Sequence, residues 1–412
     1  MSRTKEKLQQ LATDSSGGFK AEWVLPFSVL ALASIGVVMV ASASIAFASD
    51  TYGDPWFFLK RHLMFLGLGL VIATVVSQVP LSAWSRLSWP LLLFACMLLL
   101  IVLVPGIGRE VNGSRRWLSF GPITVQPAEV AKFCLLVFFA SFLTRRNQQL
   151  RHWSSFMVPV VILGLVALLL LLQPDFGSVV VISGTVLAMV FLAGARLPHT
   201  FTLVGLAACA LAMMAMMSPY RLQRLTTFLD PWRDQFASGY QLTQSLIAFG
   251  RGEWLGVGLG NSVQKLFYLP EAHTDFIFAI LSEEWGIVGG LLVIGLFALL
   301  TWSLLRLVGQ ALAKQQFFAA LLAFGIAVLL AGQAFVNMGV ASGLLPTKGL
   351  TLPFVSSGGS SLVICCALFA LALRIQAELQ ESGAEKKAEG SVRKLPIFNP
   401  LQLGDRAQGE AA

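Results

Sequence analysis

Long apolar stretches without charges recur along the chain, and short polar segments separate them. A helix that crosses a membrane needs about 20 apolar residues, and nine of the stretches reach that length. A tenth, residues 127–144, is apolar apart from Glu129 and Lys132 near its start. The predicted spans are 23–49, 62–85, 87–108, 127–144, 152–174, 176–195, 197–220, 285–305, 315–347 and 349–373.

The stretches predict helices and not the strands of a membrane barrel, because they are continuously apolar and do not alternate with polar residues. We therefore expect an all-α integral membrane protein with ten transmembrane helices. The membrane domain is predicted to cover residues 25–376 and to carry one large extracytoplasmic loop at 218–274. Residues 1–24 and 377–412 are predicted to be polar cytoplasmic tails.

The composition agrees with a membrane location. Apolar residues make up 56% of the 412 residues and charged residues only 12%, whereas soluble proteins carry about 25% charged residues. A soluble fold of this length would lack a polar surface, and a disordered chain would be poor in apolar residues. Both of these classes are therefore excluded.

The positions of Lys and Arg predict which side of the membrane each loop faces. Segments on the side of the two termini hold 17 of the 29 Lys and Arg residues; the opposite loops hold 6, leaving aside the long loop with its 5. Since cytoplasmic loops are enriched in Lys and Arg, both termini are expected in the cytoplasm. The net charge of +8 then reflects topology, and without a basic block with interleaved aromatic residues we expect no nucleic-acid partner.

Glu129 and Lys132 are charges that fall inside a predicted span. At a spacing of i,i+3 they share one face of a helix and can pair. Ionisable groups within a membrane usually have a function, but a pair that neutralises itself is also the least costly way to be structural. The residues alone leave both interpretations open.

A second set of charges lies at the outer start of the eighth predicted span. Asp275 follows Glu271 and His273, and Glu283 and Glu284 come shortly after it. A carboxylate at a helix N-terminus can simply complement the helix dipole. Clustered carboxylates in a cleft of low dielectric can instead tune a general base, and Glu283 or Glu284 is expected to point inward or to pair.

Two further features are suited to binding an anion. Arg109, Arg115 and Arg116 in an outer loop are either solvated charges or recognise a phosphate or pyrophosphate, for which Arg is suited. The glycine-rich segment 354–361 (FVSSGGSS) opens the last span. It either binds an anion through backbone N–H groups at a helix N-terminus or permits close helix packing through its small residues.

Six motifs give the chain a resemblance to a known family. They are 126–129 (QPAE), 173–175 (QPD), 239–245 (GYQLTQS), 256–265 (GVGLGNSVQK), 268–276 (YLPEAHTDF) and 345–349 (LPTKG). Together they resemble the SEDS family (shape, elongation, division and sporulation) over roughly residues 25–376. The segments 258–265 and 270–275 are closer to the division member of the family than to the elongation member.

The resemblance implies a peptidoglycan glycosyltransferase of the bacterial inner membrane that polymerises lipid II on the outer face and is enriched at the division septum. It implies as partners a class B penicillin-binding protein transpeptidase of the FtsI type and other division proteins. By the same resemblance Asp275 is the catalytic base, and Glu129 and Lys132 line the same central cavity. This chain has Ser357 where the family usually has Tyr, which puts a role for a phenol there in doubt.

The chemistry of such a reaction selects further candidates. An acceptor hydroxyl loses a proton to a base, and a pyrophosphate leaving group needs cations, for which Lys132 and one or more of the three outer arginines are candidates. The predicted substrate-binding residues are Glu129, Lys132, Arg109, Arg115, Arg116, His273, Glu271, Lys348 and Ser356.

Two other functions remain compatible with the sequence. One is a flippase for lipid-linked precursors, and the other is a non-catalytic division scaffold. The crowding of polar motifs on the outer side favours the enzyme, because a flippase needs comparable signals on the cytoplasmic side. The histidines and cysteines form no metal-binding motif, and a divalent cation, Mg²⁺ or Mn²⁺, is left open as a cofactor.

Overall fold

The computed structural model describes residues 22–111, 114–121, 123–146, 153–195, 198, 202, 205, 227–347 and 349–392. Helices dominate these residues. They are α1 (Val24–Tyr52), α2 (Phe57–Gln78), α3 (Leu81–Arg86), α4 (Ser88–Ile101), α5 (Pro127–Arg146), α6 (Trp153–Leu172), α7 (Phe176–Leu192), α8 (Tyr240–Gly252), α9 (Ile277–Ala313), α10 (Phe317–Ala341) and α11 (Gly359–Val392).

The described helices fit a multi-pass membrane protein. Six of them are long and apolar enough to cross a membrane, namely α1, α2, α5, α9, α10 and α11, and the shorter α4, α6 and α7 are also apolar. The mostly helical architecture is therefore confirmed. Apart from single residues, the predicted span 197–220 lies outside the described residues, as do 1–21, 218–226 and 393–412 of the predicted tails and loop.

Several helix ends differ from the predicted span ends because proline and glycine interrupt the apolar runs. Helix α2 ends at Gln78, before Pro80, and α4 ends at Ile101, before Pro105 and Gly106. Helix α11 starts only at Gly359, after Pro353 and Gly358. Proline lacks a backbone N–H and glycine is flexible, so both favour helix ends over helix interiors.

A small antiparallel sheet between α4 and α5 corrects the all-α prediction. Its strands β1 (Gly108–Val111), β2 (Ser114–Phe120) and β3 (Ile123–Val125) follow the order β1-β2-β3. They are three to seven residues long, too short for an alternating pattern to stand out beside long apolar runs. The predicted span 87–108 therefore reached into β1.

Helix α5 lies at the centre of the molecule. In its most apolar window 89% of the residues are buried, against 22% in α2. It packs against α4, α10 and α11. Because α5 carries Glu129 and Lys132, both charges lie in the protein interior and not against lipid, as expected for charges within a membrane.

Helix α9 is interrupted at Gly286, whose φ of 68° and ψ of −166° are not helical. The turn at 253–258 fills the interruption, because its backbone groups pair with those that the break leaves free. Backbone groups at membrane depth need such partners. The four hydrogen bonds run from Val257 N–H to Glu283 O, from Gly258 N–H to Glu284 O, from Ile287 N–H to Glu253 O and from Val288 N–H to Trp254 O.

Candidate active site

Asp275 is half-buried and lies two residues before the start of α9. Its carbonyl accepts a hydrogen bond of 2.8 Å from Asn337 Nδ2, which also donates to Leu350 O at 2.5 Å. A Cβ atom added to Gly349 would lie 2.7 Å from Asp275 Oδ2. Helix α10 and the segment 349–350 therefore fix the position of Asp275, and a side chain at 349 would crowd its carboxylate.

The segment 352–357 holds the residues that precede Asp275. Ser356 Oγ donates to Thr274 O at 2.6 Å and accepts from Leu352 N–H at 2.8 Å. Ser357 N–H donates to His273 O at 3.0 Å. The candidate Ser356 is thus buried and supports the backbone beside Asp275.

Glu129 and Lys132 form a buried pair that extends to α10. Lys132 Nζ donates to Glu129 Oε1 at 2.8 Å and to Gln333 Oε1 at 2.9 Å. Gln333 Nε2 in turn donates to Thr351 O at 2.9 Å. Gln333 and Asn337 are four residues apart on one face of α10. The pair is therefore connected through α10 and the segment 349–351 to the backbone of Asp275.

Glu283 and Glu284 both point inward and both pair, which meets the expectation for these two residues. Glu283 Oε1 lies 3.3 Å from Arg251 Nε, and Glu284 Oε1 lies 2.8 Å from Lys265 Nζ. Ser42 Oγ on α1 donates to the same Glu284 carboxylate at 2.7 Å. These contacts join the loop in front of Asp275 to α1 and α9.

A cavity of about 680 Å³ opens beside His273 and Thr274. Its size lies within the range of about 300–1,000 Å³ typical of ligand pockets. Helices α1 and α2, the small sheet, the segment 265–274 and the start of α11 enclose it. Its charged and histidine lining residues are Arg61, His62, Arg109, Lys265, Glu271 and His273, and its aromatic ones are Phe47, Tyr52, Phe58, Phe65, Trp117 and Phe267.

His273 forms part of the aromatic wall of this cavity. Its ring centroid lies 4.3 Å from that of Phe58 and 5.8 Å from that of Phe47. Burial lowers the pKa of His273 below its ordinary value of 6.5, and the nearby Glu271 carboxylate opposes that shift. The imidazole is therefore neutral at pH 7.

The three outer arginines go to different places. Arg109 lines the cavity. Arg115 Nε pairs with Glu110 Oε2 at 3.0 Å across β1 and β2, and Arg116 Nε donates to Gln173 O at 3.0 Å. Arg116 thus ties the sheet to the break between α6 and α7. Lys348 lies outside the described residues.

Sequence reasoning missed several residues of this region. Arg61 and His62 line the cavity but were not candidates, because polar residues at the edge of an apolar run look like topology signals. Lys265 also lines it but counted only as part of the motif 256–265. Gln333 and Asn337 could have been found from the sequence, since two amides four residues apart inside an apolar span share one helix face. Within the described ranges, no group of three or more His, Cys, Asp or Glu side chains is arranged to hold a metal ion.

A family model described as cell cycle protein, which covers FtsW, RodA and SpoVE, matches residues 22–381. The chain belongs to the FtsW/RodA/SpoVE family. Relatives of this FtsW/RodA/SpoVE member are named probable peptidoglycan glycosyltransferase FtsW. The one from Saccharophagus degradans is 55% identical over 90% of this chain and 96% of its own length. The one from Hahella chejuensis is 53% identical over 85% of this chain and 89% of its own length.

Solved structures of the FtsW/RodA/SpoVE family agree with this fold. A chain of a peptidoglycan synthase complex described as coordinating polymerization and crosslinking is 35% identical, with a TM-score of 0.70 over 87% of this chain and 98% of that chain. The rod shape determining protein RodA of Thermus thermophilus is 32% identical, with a TM-score of 0.63 over 86% and 96%. The predicted resemblance to the SEDS family, and to its division member, is confirmed.

Proposed function

We propose that the chain is a peptidoglycan glycosyltransferase that polymerises lipid II into glycan strands during septal cell-wall synthesis. The observation that carries this proposal is the identity of 53–55% over most of the chain to proteins named for that activity. The cavity beside the segment 271–276 supports it, because it offers cations and aromatic rings to a sugar linked to a lipid pyrophosphate.

In this proposal Asp275 is the general base. Its carboxylate takes the proton of an acceptor hydroxyl while the hydroxyl oxygen bonds to the anomeric carbon of the donor sugar. The bond from that carbon to the lipid pyrophosphate breaks, and the pyrophosphate keeps the electron pair. The hydrogen bonds of Asn337 to the Asp275 carbonyl and of Ser356 to Thr274 support this role, since a base has to be held in a fixed position.

Other candidates receive different parts of the reaction. Arg109, Glu271 and His273 contact substrate in the cavity, and Glu129 and Lys132 act on the site through Gln333. Ser356 positions the backbone beside Asp275. Lys348 remains a substrate-binding candidate because it belongs to the motif 345–349. Arg115 and Arg116 have partners outside the cavity, so of the outer arginines we assign Arg109 to the pyrophosphate.

The proposed topology places the reaction outside the cytoplasm. The chain crosses the inner membrane ten times between residues 25 and 376, with both tails in the cytoplasm and the loop 218–274 in the periplasm. The six long and three shorter apolar helices among the described residues support this arrangement, as does the distribution of Lys and Arg.

The proposed partner is a class B penicillin-binding protein transpeptidase of the FtsI type, together with other division proteins at the septum. The similarity to a chain of a peptidoglycan synthase complex supports a partner of this kind. Glycan strands made by one enzyme are the substrate that a transpeptidase crosslinks, so a complex of the two keeps product and acceptor close together.

The test is glycan-strand synthesis from lipid II by the purified chain with its cognate transpeptidase in proteoliposomes. Asp275→Asn is expected to lower the rate by about 100-fold or more, the usual contribution of a general base. The control is Asp54→Asn, since Asp54 pairs with Lys60 at the surface. If Asp275→Asn polymerises as fast as the wild type, the assignment of the base is wrong.

The same proteoliposomes, with a cell-division assay, distinguish the polymerase from a flippase and from a scaffold. Movement of labelled lipid II across the bilayer without any polymer, in every partner context, would favour a flippase. Full cell division supported by Asp275→Asn would favour a scaffold. Removal of Mg²⁺ and Mn²⁺ by a chelator in the polymerisation assay tests the need for a divalent cation.

A further inference from the structure

Basic side chains gather where the C-terminus of α5 meets the corner between α3 and α4. Arg145 and Arg146 lie in the last turn of α5, and Arg86 lies in the last turn of α3. All three residues are exposed. None of them takes part in an ion pair found among the described residues, so no carboxylate in that part of the chain neutralises them.

Hydrogen bonds hold Arg145 at this corner. Its Nη2 donates to Ser85 O at 2.6 Å and to Ser88 Oγ at 3.4 Å. Because Ser85 directly precedes Arg86, the guanidinium of Arg145 lies beside the peptide bond that joins those two residues. Both acceptors are neutral, so the charge of Arg145 is held in place and is not cancelled.

Aromatic rings lead from Arg146 to the same corner. The guanidinium of Arg146 lies 5.3 Å from the centre of the Phe142 ring. Phe142 stacks on Phe138 with ring centres 5.7 Å apart, and Phe138 meets Trp89 edge to face at 5.1 Å. Trp89 follows Ser88, the residue that Arg145 contacts. Arg146 therefore lies on the side of α5 that faces the start of α4.

A row of exposed apolar side chains on α4 begins at this corner. Leu87 and Trp89 are 45% and 48% exposed at its start, and Leu93, Met97 and Leu100 continue the row along the helix. Large exposed apolar surfaces mark contacts with a membrane or a partner, and tryptophan is enriched where the apolar layer meets water. The three arginines therefore lie at the level of the phospholipid headgroups.

We propose that Arg86, Arg145 and Arg146, with Trp89, bind the headgroup of an anionic phospholipid in the cytoplasmic leaflet. A guanidinium group matches the oxygens of a phosphate, and basic residues at this level attract anionic lipids. The acyl chains lie along the exposed row of α4. The proposal uses the proposed topology and no step of the glycosyl transfer, so it goes beyond the proposed function.

The chemistry of the headgroup predicts which phospholipids bind. Phosphatidylglycerol carries a net negative charge, whereas the ammonium group of phosphatidylethanolamine cancels that of its phosphate. Three arginines without carboxylate partners attract the first and repel the ammonium group of the second. We therefore expect phosphatidylglycerol to bind the wild type about tenfold more tightly or better, and salt to weaken this binding because it screens charges at a surface.

The experiment measures binding of phosphatidylglycerol and of phosphatidylethanolamine to the purified full chain in detergent micelles by native mass spectrometry. Arg86→Gln, Arg145→Gln and Arg146→Gln are each expected to weaken binding of phosphatidylglycerol by about fivefold, the usual contribution of one arginine near an anionic surface. Lys60→Gln is the matched control. It also removes one positive charge, but at the opposite end of α2, where Lys60 pairs with Asp54.

Arg145 also has a structural contact, since it binds Ser85 O. If Arg145→Gln does not fold, the double variant of Arg86→Gln with Arg146→Gln replaces it and is expected to lose about 25-fold in affinity. The corresponding double variant with lysine keeps both charges and loses only the fork of donors. Its affinity is expected to lie between those of the wild type and the glutamine variant.

Three results would overturn the phospholipid site. One is equal affinity of the wild type for the two phospholipids. Another is unchanged affinity of the glutamine variants, with melting temperatures equal to that of the wild type, because the arginines would then be solvated charges that only set topology. The third is loss of the complex with the transpeptidase in these variants while phospholipid binding is unchanged, which would assign the surface to a protein partner.

The proposed function and this site can fail separately. A wild type that binds phosphatidylglycerol selectively but makes no polymer would refute the polymerase and keep the site. Polymerisation of lipid II by a wild type that shows no preference for phosphatidylglycerol would refute the site and keep the polymerase.

Discussion

At the scale of single residues, the two buried charges of α5 form an ion pair with each other. Lys132 and Glu129 are 2% and 5% exposed and contact each other, and Lys132 also donates to Gln333. Removing one partner of such a pair leaves an uncompensated charge in a medium of low dielectric, whereas removing both does not. The sequence showed that these two residues could pair, and the structure adds the amide that connects them to α10.

Lys132→Met is expected to destabilise the protein by about 3–5 kcal/mol, the usual cost of breaking a buried ion pair. The double variant with Glu129→Gln and Lys132→Met is expected to recover most of that stability, because no lone charge remains. Thermal unfolding of the purified proteins in detergent measures both. A single variant as stable as the wild type would show that the pair does not stabilise the fold.

His273 makes the stability of the folded protein sensitive to acid. Its pKa is lowered in the folded state and stands near 6.5 in the unfolded chain, so the unfolded state binds the proton more readily. The contribution of the neutral His273 imidazole to folding stability is therefore present above pH 6.5. It is lost as the pH falls from 6.5 towards the lower pKa of the folded state. Glu271 faces the same ring and reduces the effect.

His273→Phe is expected to remove this part of the acid sensitivity while it keeps the packing against Phe58. The measurement is the melting temperature between pH 8 and pH 5. The wild type is expected to lose more than the variant on acidification. Parallel curves would mean that His273 does not titrate differently in the two states.

At the scale of elements, the broken helix α9 and the turn at 253–258 form one unit. A Cβ atom on Gly286 would lie 2.4 Å from Trp254 O, and its φ of 68° is unfavourable for other residues. A Cβ atom added to Gly252 would likewise clash with the carbonyl oxygen of Ser282, and one added to Gly256 with that of Glu284. The glycines therefore permit the backbone contacts that fix the loop in front of Asp275.

Gly286→Ala is expected to cost about 2 kcal/mol or more, because it adds both a steric clash and backbone strain. Gly295→Ala on the same helix is the control, since a Cβ there meets nothing within 4 Å. The melting temperature and the rate of protease cleavage within 253–276 measure the effect. Equal behaviour of the two variants would mean that the turn does not depend on this glycine.

At the scale of the whole molecule, the proposed topology sets the outer loop and the α9–α10 turn on opposite sides of the membrane. Leu229 and Gln315 are both exposed. In a cysteine-free background, a cysteine at 229 is expected to react with an impermeant maleimide added to intact spheroplasts, and one at 315 only after permeabilisation. Labelling of both from outside would contradict the topology.

The membrane class, most helices and the family of this protein can be read from the amino-acid sequence alone. Those features are local, because an apolar run of sufficient length specifies a spanning helix and a motif is read as a contiguous string. Even there, α2 ends at Gln78 before Pro80 and not at 85, and α11 begins at Gly359 after Pro353 and not at 349. The three short strands, which lack a long pattern of their own, were not predicted.

Which charged side chains share a site depends on how the elements pack together. Arg109, Arg115 and Arg116 are neighbours in sequence, yet Arg109 lines the cavity while the other two pair elsewhere. Adjacent strand residues point to opposite faces, and a bulge between Arg109 and Glu110 shifts the register. Arg61 enters the same cavity from a helix distant in the chain, because packing and not sequence separation sets the distance between side chains.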